Sequence, residues 1–475
     1  MWRFFKDFFI YGIASIIGKI AAIFLMPIYT SILSPKEYGA QALIVSFVLF
    51  FDVFANLNIH SGVGREYYET PNGQKKELVS TGLFSVLACS IPISICLIAS
   101  SGWIVRSVLG VPDYQTEFCI FVCTLVATSC QTYFSVLTRY RKKPILFTIG
   151  TGIKVVIQMV ISIYGVVFLR VGIISIMIGS LCSECFGALF YGYINKANIG
   201  LCFNKKIIRR VLLFSLPTIP AIVAGWLDSS LGQILIGKYV SVEDAGVYSI
   251  ALHIASGFSL ITIAFQNVWS PFLYENYPKR SFVEDVQRLY SIVMLLLILV
   301  SVNISMLSKE IILVLSNELY VAAAQYLTLL CLPLSIYVTF PFASSGVSIS
   351  RDTKYIGISY VIGSIINVLL LCIFLPRYGV VCVPIALFVS RVFTFYFLYL
   401  VTKIKGLLTL PQRYILYLVV SIIVCYCANI WGASFQCRVF VLFIFDLLLF
   451  LFIYQKYNLK VFILTKLGKK ENDIL

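Results

Sequence analysis

The stretch YGIASIIGKIAAIFLMPIYTSILSPKEYGAQ, residues 11–41, decides how the rest of the chain is read. Up to Leu33 it is apolar and long enough to cross a bilayer, which takes about 20 such residues in a helix. Lys19 interrupts it near the middle, where a lysine costs roughly 2.5–3.5 kcal/mol on insertion scales. Gly12, Ser15, Lys19, Ala22, Met26 and Tyr29 recur at spacings of three and four and so share one helix face. Ile13, Ile16, Ile20, Ile23 and Phe24 fall mostly on the other. One face suits lipid, and the other suits a polar cavity or a close helix neighbour.

The helix ends at Ser34-Pro35-Lys36-Glu37-Tyr38-Gly39. Ser34 is a good N-cap, Pro35 fits the first helical position, and Glu37 completes a capping box for the next helix. Ser241-Val242-Glu243-Asp244-Ala245-Gly246 repeats the pattern 207 positions later. Each copy follows a long apolar helix and opens another. The chain therefore reads as two homologous halves, an arrangement common in transporters.

Composition agrees. Of 475 residues 60% are hydrophobic and only 12% charged, with mean hydropathy +0.94, against about 25% charged in a soluble domain. This is the composition of an all-α, polytopic membrane protein. The first apolar segment has no small-residue cleavage site and continues as a full span, so it reads as a helix rather than a signal peptide. The 14 cysteines lie mostly in apolar segments, and Cys182-x-x-Cys185 and Cys425-x-Cys427 have no histidines near them. They read as small core residues, with no metal site expected.

Fourteen candidate spans run at 8–33, 41–63, 78–101, 116–138, 145–169, 171–194, 208–236, 244–273, 287–307, 321–346, 354–375, 379–402, 412–431 and 437–455. Short loops join them, none large enough to fold by itself. With the N-terminus inside, alternate loops gather Arg3, Lys6, Arg65, Lys75, Lys76, Arg139, Arg141, Lys142, Lys143, Lys196, Lys205, Lys206, Arg209 and Arg210. They continue with Lys279, Arg280, Arg288, Arg351, Lys354, Lys403, Lys405, Arg413 and the five lysines from Lys456 to Lys470. The other side keeps Lys36, Arg106, Arg170, Lys238, Lys309, Arg377 and Arg438, a division of 27 against 7. The positive-inside rule then places both termini in the cytoplasm. The net charge of +16 is thus topological, and nucleic acid is not expected as a partner.

The expected domains are an N-lobe of six spans (1–200), a C-lobe of six (201–405), and a last pair of spans with a cytoplasmic tail (406–475). An even number of spans per half gives both halves the same orientation, so they should relate by a pseudo-twofold axis along the membrane normal.

Ionisable residues inside spans face a cavity or a partner. Span 2 carries Asp52, Asn56 and His60 in one stripe; span 5 carries Lys154 and Gln158; span 6 carries Glu184. Span 7 carries Thr218, Ala221, Gly225, Asp228 and Gly232 on one face, with Pro217 and Pro220 to bend it. Span 8 has His253, Gln266 and Asn267, span 12 has Arg391, and span 14 has Asp446. Arg65 stands at the inner mouth of span 2. Lys19, Lys154 and Arg391, with Arg65, would attract a phosphate-bearing substrate. Asp52, Glu184 and Asp228 would balance those charges or exchange a coupling ion.

Several motifs carry a resemblance. They are the basic first helix, Leu33 through Gly39, Ser61-Gly62-Val63-Gly64-Arg65-Glu66-Tyr67-Tyr68, and Leu235-Ile236-Gly237-Lys238-Tyr239 through Gly246-Val247-Tyr248-Ser249. In these the chain resembles the Wzx-type flippases of the polysaccharide transporter family, within the superfamily that also holds multidrug extruders and the lipid II flippase. The resemblance implies a two-lobed bundle with a cavity that opens to each side in turn. It also implies an undecaprenyl-pyrophosphate-linked oligosaccharide, such as an O-antigen unit, moved from the cytoplasmic to the outer leaflet of a bacterial inner membrane. A polysaccharide polymerase and a chain-length regulator would be its neighbours. Relatives carry an acidic-basic pair where this chain has Gln233-Ile234, which leaves Asp228 as the nearest acid. No cofactor is implied beyond a proton or sodium ion as driving ion. Two other readings stay open, an ion-coupled small-molecule exporter of the same fold and a membrane polymerase or ligase. The outer loops are too short for the catalytic surface that an enzyme would need.

Overall fold

The computed structural model describes residues 2–277, 281–350, 352, 354–404, 409–431 and 434–457. The side chains of Gly12, Ser15 and Asn267, and those of Arg3, Lys6, Lys279, Arg280, Arg351, Lys405 and the lysines from Lys456 on, lie outside the described residues. The described chain is helical, with no strand. Among the described residues eleven stretches are long and apolar enough to cross a membrane, and Ile17–Ile32 is a shorter apolar helix. One of the eleven, Lys354–Ile404, is two helices that turn at Gly379, whose φ of +68° suits a residue without Cβ.

The helices that matter below are α1 (Trp2–Ile32), α2 (Pro35–Asn56), α3 (Ile59–Glu69), α4 (Lys75–Ala99), α5 (Gln115–Tyr140), α6 (Pro144–Ile163), α7 (Ile174–Asn195), α8 (Lys205–Ser215), α9 (Ile219–Trp226), α10 (Gly232–Tyr239) and α11 (Val242–Ala255). After them come α12 (Phe258–Asn276), α13 (Phe282–Met306), α14 (Ser308–Leu315), α15 (Ala323–Val338), α16 (Lys354–Tyr378), α17 (Cys382–Ile404), α18 (Arg413–Ile430) and α19 (Phe435–Tyr457).

Both repeat motifs start helices as their residue types require. Ser34 accepts from the Glu37 amide at 3.3 Å while Glu37 accepts from the Ser34 amide at 2.8 Å, which closes a capping box at α2. Ser241 accepts from the Asp244 amide at 2.9 Å and starts α11.

Several expected spans are interrupted, and three of the interruptions matter below. The span expected at 41–63 begins at Pro35 and breaks at Leu57 and Asn58, both left-handed at φ 44° and 51°. Asparagine tolerates this region better than most residues. The break puts His60 on α3, so the single stripe Asp52–Asn56–His60 does not form. The proline-bearing span divides into α8, a tight turn at Leu216–Thr218, α9, a wide turn at Leu227–Leu231, and α10. The eighth span breaks between α11 and α12, at Ser256 and Gly257.

The chain forms two compact units. The first comprises Met1–Gly257, Ile312–Ala322 and Gly357–Ala386, and the second Phe258–Ile311, Ala323–Ile356 and Leu387–Leu475. Within the first, Ile59, Val63 and Tyr67 of α3 pack with Leu78, Val79 and Leu83 of α4, Tyr133 and Phe134 of α5, Tyr191 of α7 and Val211 of α8. The Ser61–Tyr68 motif is therefore largely a packing element. Within the second, Phe342 is the centre of an aromatic group with Phe265, Trp269 and Tyr290 at 4.9, 4.4 and 5.3 Å between ring centroids.

Candidate functional site

Among the seven charged residues expected to work, Lys154 and Glu184 meet directly. The Lys154 ammonium on α6 donates to both Glu184 oxygens on α7, at 2.9 and 2.8 Å. Side chains are 14% and 22% exposed, dry enough for the pair to count. Gly187, one turn beyond Glu184, makes the geometry possible. A Cβ there would lie 2.7 Å from the Lys154 stem and from Gln131 of α5. The stem crosses α7 over that glycine. Asp52 on α2 lies within electrostatic range of Glu184 and accepts from Asn56 at 2.6 Å. Gln158 reaches Ser180 at 3.4 Å. Lysine, two acids and amides thus share one polar region of the first unit.

Asp228 lies in the wide turn Leu227–Leu231, a distortion frequent at functional positions. Its Oδ1 accepts from Ser364 at 3.0 Å and from Asn367 at 3.3 Å, both on α16. Ser364 also donates to the Ala224 carbonyl at 2.9 Å. Asn367 is buried, and its Oδ1 has no hydrogen-bond partner among the described residues. These oxygens make a compact acceptor set. Ser364 and Asn367 escaped the sequence reading. Their signal is two polar residues three apart in the apolar stretch 361–375.

The other three expected cations lie on α1, α3 and α17. Lys19 is half-buried on α1. Arg65 is exposed on α3, its guanidinium 4.9 Å from the Phe214 ring centroid. Arg391, in the second unit, donates to the Pro333 carbonyl at 3.1 Å and lies 4.7 Å from the Tyr337 ring centroid. His60 is half-buried on α3 within range of Arg139, and His253 meets the edge of Tyr38 at 6.3 Å. Gln266 is exposed. Asp446 accepts from Asn303 at 3.0 Å. Among the described residues two further pairs form between residues that fall near loops; in one, Arg210 of α8 meets Glu66 of α3 at 3.6 Å. In the other, Arg438 of α19 joins Glu310 of α14 and donates to the Met306 carbonyl at 2.9 Å.

No described trio of histidine, cysteine or acidic residues is arranged to hold a metal ion.

Many apolar helices, with a charged pair held between two of them, define a multi-span membrane protein, and solved structures share its fold. The chain is similar to the lipid II flippase MurJ in an inward closed conformation, with TM-score 0.74 and 17% identity, over 94% of this chain and 99% of that one. It is similar to a multidrug resistance MATE family transporter of the MOP superfamily, inward-facing, with TM-score 0.67 and 12% identity over 82% and 95%. A Vibrio cholerae MATE transporter matches with TM-score 0.57 and 11% identity over 84% and 96%. At such identities the likeness establishes the fold. Comparison with curated proteins finds no match. The family model described as "Polysaccharide biosynthesis protein" matches residues 28–325, and the chain belongs to that family.

Proposed function

We propose that the chain is a flippase for an oligosaccharide joined through pyrophosphate to undecaprenol, an O-antigen or similar surface-polysaccharide unit. It moves this lipid from the cytoplasmic to the outer leaflet of a bacterial inner membrane by alternating access. The observation that carries the proposal is the pairing of a polysaccharide-biosynthesis family with the fold of a lipid II flippase. In this reading the chain crosses fourteen times with both termini in the cytoplasm, as two six-span lobes (1–200 and 201–405) and a terminal pair of spans. Lys19, Arg65, Lys154 and Arg391 attract the pyrophosphate, and tyrosines and amides contact sugars. Asp228, with Ser364 and Asn367, takes a coupling proton or sodium ion, while Asp52 and Glu184 balance charge. The chain does no covalent chemistry. A polymerase and a chain-length regulator receive the product.

The MATE likeness supports a second reading, ion-coupled export of small molecules by the same fold. Deleting the gene separates the two. Loss of surface polysaccharide, with lipid-linked units held in the cytoplasmic leaflet, is the expected result. Normal polysaccharide with raised drug sensitivity would replace the first reading by the second.

A further inference from the structure

The segment that joins the two repeats, residues 196–210, carries a cationic face that the transport reading leaves unused. It starts beside Tyr193 at the end of α7, which is exposed with the Lys196 ammonium 4.1 Å from its ring centroid. Tyrosine and lysine side chains gather where a span meets the headgroup zone. The irregular stretch that follows is fixed to α4. The Gly200 and Asn204 backbone amides donate to Ser80 and Thr81 at 2.8 and 3.1 Å, and the Asn204 side chain donates to Glu77 at 3.0 Å. Leu201, 99% exposed, and Phe203, 53% exposed, nevertheless stand outward from it. Apolar side chains held outward in that zone suit entry into a bilayer.

α8 continues the face. Ile207, Val211 and Ser215 are buried, while Lys205, Lys206, Arg209 and Arg210 are exposed. Leu213 and Leu216 follow Arg209 at helical spacing and are exposed too. Cations first and leucines after is the order of a helix that passes from phosphate level into hydrocarbon. Arg210 meets Glu66, but among the described residues no acid pairs with Lys205, Lys206 or Arg209. Lys76 adds a further cation. A Cβ at Gly200 would lie 2.6 Å from its Cε, so the lysine stem crosses the chain next to Leu201.

We propose that this face binds the phosphate headgroup of an anionic phospholipid such as phosphatidylglycerol in the cytoplasmic leaflet. Lys76, Lys205, Lys206 and Arg209 meet the phosphate, and Leu201 and Phe203 lie among the chains. The site uses the topology proposed above but no property of the transported molecule. A charge run that is merely solvated needs neither a fixed backbone nor outward apolar side chains beside it.

The full chain, purified in detergent, is titrated with phosphatidylglycerol and with phosphatidylcholine, and bound lipid is counted by native mass spectrometry. Each cation at an anionic surface is worth roughly fivefold in binding, so Lys205→Gln/Lys206→Gln/Arg209→Gln should weaken phosphatidylglycerol binding by about tenfold or more. Phosphatidylcholine binding should not change. Lys142→Gln/Lys143→Gln/Lys403→Gln removes the same charge elsewhere on that side and should bind as wild type does. Equal losses in both triple variants, or none in the first, would overturn the site. Parallel loss of glycerol 3-phosphate binding would assign the face to a soluble phosphate ester, and parallel loss of undecaprenyl diphosphate binding would assign it to the transported lipid; either overturns the phospholipid. If the first triple variant does not fold, hydrogen exchange of the wild-type chain in nanodiscs takes its place. Slower exchange over 199–210 in phosphatidylglycerol than in phosphatidylcholine supports the site, and equal exchange overturns it. Phosphatidylglycerol held at this face by a chain that flips no undecaprenyl diphosphate would keep the site and remove the proposed substrate.

Discussion

Lys154 and Glu184 hold each other through two charge-assisted hydrogen bonds, 2.9 and 2.8 Å long, from neighbouring helices. Glu184 balances the lysine charge in this conformation, so under the proposed function a diphosphate would have to compete with Glu184 for it. Removing one partner leaves a charge in a dry place, which costs about 3–5 kcal/mol for a fully buried pair. Partial exposure puts this pair near the low end, about 3 kcal/mol.

We predict that Lys154→Ala and Glu184→Ala each lower the unfolding temperature in detergent, while the double variant regains most of the loss. Export separates structure from function. A lysine that only stabilises would leave the double variant exporting normally. A lysine that binds diphosphate would leave it stable and inactive, which is the expected outcome.

Asp228 is held by Ser364 and Asn367, and an asparagine at 228 can accept the same bonds without the charge. Asp228→Asn should therefore insert and fold normally. Losing a charged contact of about 1.5–3 kcal/mol should lower gradient-driven export about tenfold or more. Vesicles with an imposed sodium or proton gradient provide the measurement. Wild-type export by Asp228→Asn would end the coupling role of this residue.

What could be read in advance follows what sequence periodicity encodes. Caps at Ser34 and Ser241, the apolar helices and the bend near Pro217 and Pro220 are local, and each was legible. Lys154 and Glu184 were each visible as intramembrane charges, but their pairing was not. It depends on how two helices are rotated against each other and on the room left by Gly187. The break at Leu57–Asn58 was hidden because leucine signals continuation, and it moved His60 off the expected stripe. Arg438 and Glu310 looked like loop charges because both stand near helix ends.

Arg391 uses its shape as well as its charge. The guanidinium donates to the Pro333 carbonyl and lies against Tyr337, and the aromatic contact is worth about 0.5–2 kcal/mol. Lysine cannot keep both contacts. Arg391→Lys should lose nearly as much export as Arg391→Ala, with normal amounts in the membrane, and Lys19→Ala should do the same. Surface polysaccharide is the readout. Full export by Arg391→Lys would show that charge alone suffices, and full export by Arg391→Ala and Lys19→Ala together would remove both from the substrate site.

The Arg438–Glu310 pair should behave in the opposite way from Lys154–Glu184. Arg438 is 7% exposed and ties α19 to α14 and to the end of α13 through the Met306 carbonyl. Asn429 of α18 bonds the nearby Ser305 carbonyl at 2.8 Å, so the last two helices are fastened to the second unit by polar contacts at one end. Its role is then mechanical. Glu310→Ala should strand the guanidinium and cost about 3–5 kcal/mol, seen as a lower unfolding temperature. Replacing both partners with apolar residues, Arg438→Met with Glu310→Leu, should recover stability, because well-packed apolar pairs often match buried ion pairs. Export by this double variant should stay within about twofold of wild type, a change of less than 0.5 kcal/mol. A stable double variant that no longer exports would show that the pair takes part in transport.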